Sequence, residues 1–216
     1  MTDIQIITAN NFKRMPWKNG LGSTLEIKRY DDSDGQRFRI SKASVIEDGL
    51  FSDFSGQHRT LVLLSGEGMT LKHQGQHDHC SQQLKKILDI ARFSGSDETY
   101  ATLKNNVAIE DLNIMVREKD TLAIVSAITS VQSLSPTQST STLLSAFYAN
   151  ADCLITLSNN VDQEETIRLP KGSFLDFKDP LILIDKKILI TKGNGVFIEV
   201  LDDNKRLDNS ATSHQA

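Results

Sequence analysis

Short apolar runs with a period of two recur along the whole chain, separated by clusters of Gly, Asn, Asp and Ser: "STLEIKRY", "RFRISKASVI", "RTLVLLSGEGMTLKH", "NIMVRE", "LLSAFYA", "CLITLS", "KKILIT" and "GVFIEVL". β-Branched and aromatic residues bounded by turn formers at this spacing predict an all-β sandwich or barrel rather than alternating strands and helices. The best helical candidate, "SQQLKKILDIARF", is flanked by Gly and Asp and predicts no more than a turn or two. "TLVLLSGEGMTLKH" reads as a hairpin, and three further strands cluster around turns at 185–186 and 193–195. The pattern divides into a first β unit over 1–132 and a second over 143–201 that closes the same compact domain. The Ser/Thr/Pro-rich stretch "SLSPTQSTST" (133–142) is the expected join, and 202–216 an expected disordered tail.

Because strand side chains alternate between faces, the same runs sort polar from apolar positions. Leu25 and Ile27 share one face, leaving Thr24, Glu26 and Lys28 on the other. Phe38 and Ile40 oppose Arg39, Ser41 and Ala43; Leu112, Ile114 and Val116 oppose Asp111, Asn113 and Met115. Three strands thus repeat a polar face, which is either solvated or lines a pocket inside a barrel. Arginine's planar fork suits a carboxylate ligand, so Arg39 and Arg59 are the candidate anchors. Glu26 and Asp111 could form a carboxylate pair across such a pocket.

Composition narrows the partners. The 216 residues carry 24 Lys plus Arg against 28 Asp plus Glu, a net charge of -4, and no basic block of the kind that tracks a phosphate backbone. Nucleic acid is therefore not expected, and no apolar run of signal-peptide or membrane-spanning length is found, so a cytoplasmic location with no membrane partner is expected. Cys80 and Cys153 are far apart and outside any zinc-type spacing, which predicts free thiols. "HQGQHDHC" offers His73, His77, His79 and Cys80, but no carboxylate completes the His-x-His pair and the segment has a loop's composition. The expectation is no metal and no cofactor, with His77 and His79 as the weak alternative. "GEG" and "GNG" are turns rather than phosphate loops, since no Lys-Ser/Thr and no helix follow.

Four blocks in order, "MPWKNGLGSTLEI", "FRISKASV", "GLFSDFSGQHRTLVLLSGEGMTL" and "DLNIMVRE", resemble the HutD family, Ves-type members included, over residues 5 to 120; beyond that the resemblance is a general pattern. The resemblance implies a bicupin-like all-β chain with two cupin-type barrel or sandwich units, and a small-molecule-binding protein more than an enzyme. It also implies a function: sensing a small anionic carboxylate from histidine degradation, urocanate or formylglutamate, and modulating histidine-utilisation expression. Carried over by motif, the implied ligand site comprises Trp17, Asn19, Thr24, Glu26, Arg39, Ser41, Arg59, Asp111 and Asn113, with Gly20, Gly22 and Gly56 in the turns between them. Trp17 would supply an apolar wall, and Asn19, Thr24 and Asn113 orienting hydrogen bonds. The chain departs from the family pattern at Phe38 and Leu112, both apolar for apolar, at Lys42, and in the long "HQGQHDHC" turn. A metal-dependent cupin enzyme using His77 and His79, a stress-induced protein-interaction module, and assembly as a homodimer stay open.

Overall fold

The computed structural model describes residues 4–16, 23–75, 79–137, 139, 141–158, 164–179, 183 and 186–203, apart from the side chains of Pro16 and His79. Trp17, Asn19, Gly20, Gly22, His77 and residues 204–216 lie outside that set. In chain order the strands are β1 (Ile4–Ile7), β2 (Lys13–Pro16), β3 (Ser23–Asp32), β4 (Gly35–Val45), β5 (Gly49–Leu50), β6 (Gln57–Ser65), β7 (Met69–Gln74), β8 (His79–Leu84), β9 (Ile90–Ser94), β10 (Glu98–Leu103), β11 (Ile109–Arg117), β12 (Thr121–Ile128), β13 (Gln132–Leu134), β14 (Thr142–Ala149), β15 (Cys153–Ser158), β16 (Glu164–Leu169), β17 (Phe174–Phe177), β18 (Lys187–Lys192) and β19 (Gly195–Asp202). Two single 3-10 turns, Ala9–Asn11 and Lys104–Asn106, are the helical elements among the described residues. The fold class read from the period-two pattern is thus all-β, and no helix among the described residues is long and apolar enough to cross a membrane.

The chain forms two compact units, Lys13–Leu122 and a second made of Met1–Phe12 with Ala123–Asp203. The division falls at 12/13 and 122/123, and Ser133 and Leu134 of the stretch 133–142 belong to β13, which pairs with β18. The opening residues belong with the later unit because β1 pairs antiparallel with β17, Ile4 opposite Phe177. Asp202, placed in the expected tail, ends β19 and donates its N–H to the Ser141 carbonyl at 2.8 Å.

In the Lys13–Leu122 unit a six-stranded sheet, β2-β3-β4-β11-β6-β9, faces a four-stranded sheet, β5-β10-β7-β8. Leu61, Leu63, Ala91 and Ile109 from the first meet Met69, Leu71, Leu84, Ala101 and Leu103 from the second in one buried cluster. The larger sheet also buries Phe38, Ile40, Leu112 and Ile114 on its opposite face, so its strands read as apolar on one side and mixed on the other. The second unit repeats the plan with sheets β1-β17-β14-β19-β12 and β13-β18-β15-β16 around Phe147, Ile155, Leu175, Ile190 and their neighbours.

Three expectations from sequence are corrected. "SQQLKKILDIARF" holds no helix: it runs from β8 to β9 through a turn in which the Asp89 carboxylate accepts the Lys85 and Lys86 N–H groups at 2.7 and 2.9 Å and buried Leu88 takes φ +71°. "SGEG" is not a hairpin, since β6 and β7 lie in different sheets, and neither is "KGNG", which passes from β18 to β19. Both are corners where the chain changes sheets. Their glycines serve close approach: Gly68, at φ +117°, has the Leu84 carbonyl where a Cβ would sit.

Candidate functional site

Directly opposed residues of antiparallel strands share a face, so the register of the six-stranded sheet draws the floor of a cavity row by row. One row is Arg39, Met115 and Arg59; the next is Glu26, Ser41, Asn113 and Leu61; the third is Thr24, Ala43, Asp111 and Leu63. With adjacent strands about 4.8 Å apart, Arg39 and Arg59 start roughly 10 Å from each other on one face. A cavity of about 610 Å³ lies over these rows, lined by Thr24, Arg39, Ser41, Arg59, Asp111 and Asn113 and closed on one side by the segment 46–54. The described sequence-predicted residues are therefore brought together, with Glu26 joining through Arg39.

Lys28 is not on that face. Ile27 is an extra residue in β3, so Glu26 pairs with Ser41 but Lys28 with Ile40, and the strand changes phase at this bulge. Glu26 and Asp111 do not form the carboxylate pair either. Glu26 accepts Arg39 Nε at 2.9 Å, and Arg39 Nη2 also reaches Met15 Sδ at 3.5 Å. Arg39 is thus already engaged.

Arg59 is held differently. Its side chain is 5% exposed, and its guanidinium carbon lies 4.9, 5.3 and 4.9 Å from the ring centroids of Phe51, Phe54 and Phe93. Nη2 donates to Asn113 Oδ1 at 2.9 Å, and Asn113 Nδ2 donates in turn to Asp111 Oδ1 at 2.5 Å. Among the described residues no acid bonds Arg59 directly. Burial lowers its pKa to about 10 against the opposing charge of Asp111. Burial likewise pushes Asp111 up to about 7, although Arg59 and the Asn113 bond pull it down. Arg59 and Asp111 are thus a buried cation and a buried acid separated by one amide.

Behind Phe93 stands His73, which the strand pattern of "TLVLLSGEGMTLKH" places on β7. His73 is a buried residue of β7, its ring 4.7 Å from that of Phe93. Gln82 accepts the Arg92 N–H through Oε1 and donates Nε2 to the Arg92 carbonyl, so the Nε2 that meets His73 Nε2 at 3.1 Å is a donor. His73 Nδ1–H then donates to Thr99 Oγ1 at 2.9 Å, whose hydroxyl passes to the Asp97 carbonyl. Burial and the nearby Arg59 charge hold the imidazole pKa down, which matches this neutral tautomer. Among the described residues no three His, Cys, Asp or Glu side chains cluster as a metal site. Both cysteines are free: Cys80 is exposed, and the buried Cys153 thiol, pushed up by burial, donates to the Ala151 and Asn194 carbonyls.

Sequence reading missed the aromatic cage, and weighed His73 only as part of the metal pattern in "HQGQHDHC". The signal for the cage was the spacing of Phe51 and Phe54 ahead of Arg59 in "GLFSDFSGQHR", with Phe93 contributed by a strand paired directly to Arg59.

Paired β-sandwich units with such a cavity between sheets are the architecture of cupin-type all-β proteins. Oxalate decarboxylase from Bacillus subtilis has the same fold over 94% of this chain and 78% of its own at a TM-score of 0.59, with 7% identity. The family pattern of HutD matches residues 9–187, and the chain belongs to the HutD family. HutD from Pseudomonas fluorescens SBW25, solved in a formate condition, is 27% identical with a TM-score of 0.72, covering 92% of this chain and 98% of that one. A conserved protein of unknown function from Pseudomonas aeruginosa PAO1 is 27% identical with a TM-score of 0.70, covering 93% of this chain and 98% of that one. Among curated relatives, an uncharacterized 21.2 kDa protein in the hutC 3' region of Pseudomonas putida is 38% identical over 53% of this chain, and protein Ves of Escherichia fergusonii 32% over 50%. The matches span 59% and 56% of those relatives' lengths.

Proposed function

We propose that this chain is a small-molecule-binding protein that takes a small carboxylate in the Lys13–Leu122 cavity and, through it, modulates histidine-utilisation expression. The observation that carries the reading is Arg59: a buried guanidinium caged by three rings, with its Nε–H lacking a partner among the described residues. A ligand carboxylate is the natural complement of that donor, and a fixed, desolvated arginine binds it without first ordering its own side chain. Asn113 sets the guanidinium plane, and the Ser41 and Thr24 hydroxyls on the neighbouring rows can orient the rest of the ligand. Arg39, neutralised by Glu26, is an edge residue of the site. The hutC-region location of the Pseudomonas putida relative supports an acid of histidine degradation, urocanate or formylglutamate.

Calorimetric titration with urocanate, formylglutamate and sodium formate tests this reading. Saturable binding of at least one, weakened by about 30-fold or more in Arg59→Met, is expected for truncation of a buried charge partner. Absence of binding by all three acids, or unchanged binding in Arg59→Met, overturns it.

A further inference from the structure

Among the described residues, two buried polar atoms of the cavity lining have no partner: Arg59 Nε and Asp111 Oδ2. The direction of the hydrogen bonds between these residues is fixed. Arginine can only donate, so Asn113 must turn Oδ1 toward Arg59, and its Nδ2 therefore donates to Asp111 Oδ1. With Oδ1 committed as an acceptor, a proton on Asp111 resides on Oδ2. In that state Arg59 Nε–H and Asp111 Oδ2–H are both donors without a partner among the described residues. Ionised Asp111 would instead offset the Arg59 charge and turn a bare carboxylate oxygen toward an incoming anion.

We propose that Asp111 enters the complex protonated and donates its Oδ2–H to the same ligand carboxylate that Arg59 holds, so that the site takes up its anion together with one proton. This rests on the carboxylate-binding reading above and adds the proton to it. No bond other than hydrogen bonds forms, and the proton comes from solvent. The surroundings favour the neutral acid. Of the charged groups packed around Asp111, Arg59 on β6 alone opposes burial; Arg39 on β4 is neutralised by Glu26 on β3, and Glu110, next in the chain, by Lys42 at 2.6 Å. The charged residues that the segment 46–54 contributes to the cavity wall are the acids Glu47 and Asp48. With its pKa near neutrality, Asp111 can change state under ordinary conditions.

Titrations with sodium formate and formylglutamate, both fully ionised from about pH 6 to pH 9, test the inference on the full chain. The affinity of whichever acid binds should fall about tenfold per pH unit above neutrality. Binding at about pH 8 in two buffers of different ionisation enthalpy should report uptake approaching one proton. In Asp111→Asn the slope should vanish, whatever affinity the variant keeps being the same at each pH. In the ligand-free wild type, the Asp111 carboxyl carbon should titrate near neutrality by NMR and move upward when the binding acid is added, a measurement that does not depend on the variant folding. Arg59-dependent binding that stays flat over this pH range, or an Asp111 midpoint below about 5, overturns the proton uptake and leaves the carboxylate reading standing. No binding by either acid overturns this inference as well.

Discussion

Arg59 and Phe93 are direct partners across the β6–β9 pair, and the Phe93 ring centroid lies 4.9 Å from the Arg59 guanidinium carbon. The same ring is backed by His73, so the cation, the aromatic and the neutral imidazole form a stack through the interior of the unit. Arg59 cannot swing out of the cavity without opening this stack, which separates it from a surface arginine on a mobile stem.

Phe93→Leu removes one wall of the cage while conserving apolar character. Ligand affinity is expected to fall by about five- to tenfold, the worth of roughly 1 kcal/mol of desolvated cation–π contact, and unfolding stability by about 1 kcal/mol. Titration calorimetry and urea denaturation on the same protein separate the two effects.

Arg59→Lys keeps the charge and loses the planar fork. A lysine ammonium at this depth cannot stack on Phe51 and Phe54 or present a fixed in-plane donor, so carboxylate binding is expected to drop by more than about tenfold with the sheet intact. Equal affinity for the arginine and lysine proteins would show that charge alone is read.

Asp111→Asn changes the pH dependence of stability. The folded-state pKa of about 7 lies above the unfolded value near 3.9, so the native chain binds more protons between those values and stability is lost as pH rises through that window. The asparagine variant lacks this loss. Relative to wild type it should gain stability between about pH 4 and pH 7, on the order of a few kcal/mol, read from urea midpoints at a series of pH values.

Arg117→Met should act in the opposite pH direction. Arg117 donates to both Asp32 oxygens at 2.7 and 2.6 Å and to Asp120 from Nε at 2.9 Å and Nη2 at 2.8 Å, tying the β3–β4 turn to the β11–β12 turn. These bonds hold the Asp32 and Asp120 carboxyls below their usual range. Their stabilisation is present above about pH 4 and lost as pH falls further. The variant should melt several degrees lower at neutral pH and show a weaker loss of stability on acidification.

The alternation in "RFRISKAS" and "DLNIMV" was enough to place Arg39, Ser41, Asp111 and Asn113 on one face, because neither β4 nor β11 is interrupted between those residues. It failed at Lys28, where one added residue, Ile27, reverses the phase and nothing in the residue types marks the bulge. The cage was illegible for a different reason. Phe51 and Phe54 sit in an irregular segment positioned by bonds to distant backbone, Phe51 N–H to the Thr99 carbonyl and Phe54 N–H to Gly95. Glycine turns were readable as turns but not as corners, because a hairpin and a change of sheet use the same residues; what distinguishes Gly68 is Leu84, sixteen positions later.

The pairing of β1 with β17 has a consequence for synthesis. Residues 13–122 are continuous, so every strand around the cavity has been made once the ribosome has passed their end. Ile4–Ile7, made earliest among the described strands, must wait for Phe174–Phe177 before its backbone hydrogen bonds can form. The cavity-bearing unit can thus form during translation while Ile4–Ile7 is still unpaired, and the other unit closes only after Phe174–Phe177 has been made. A ribosome stalled after residue 160 would carry a nascent chain in which the strands around the cavity are all present and Ile4–Ile7 still lacks its partner.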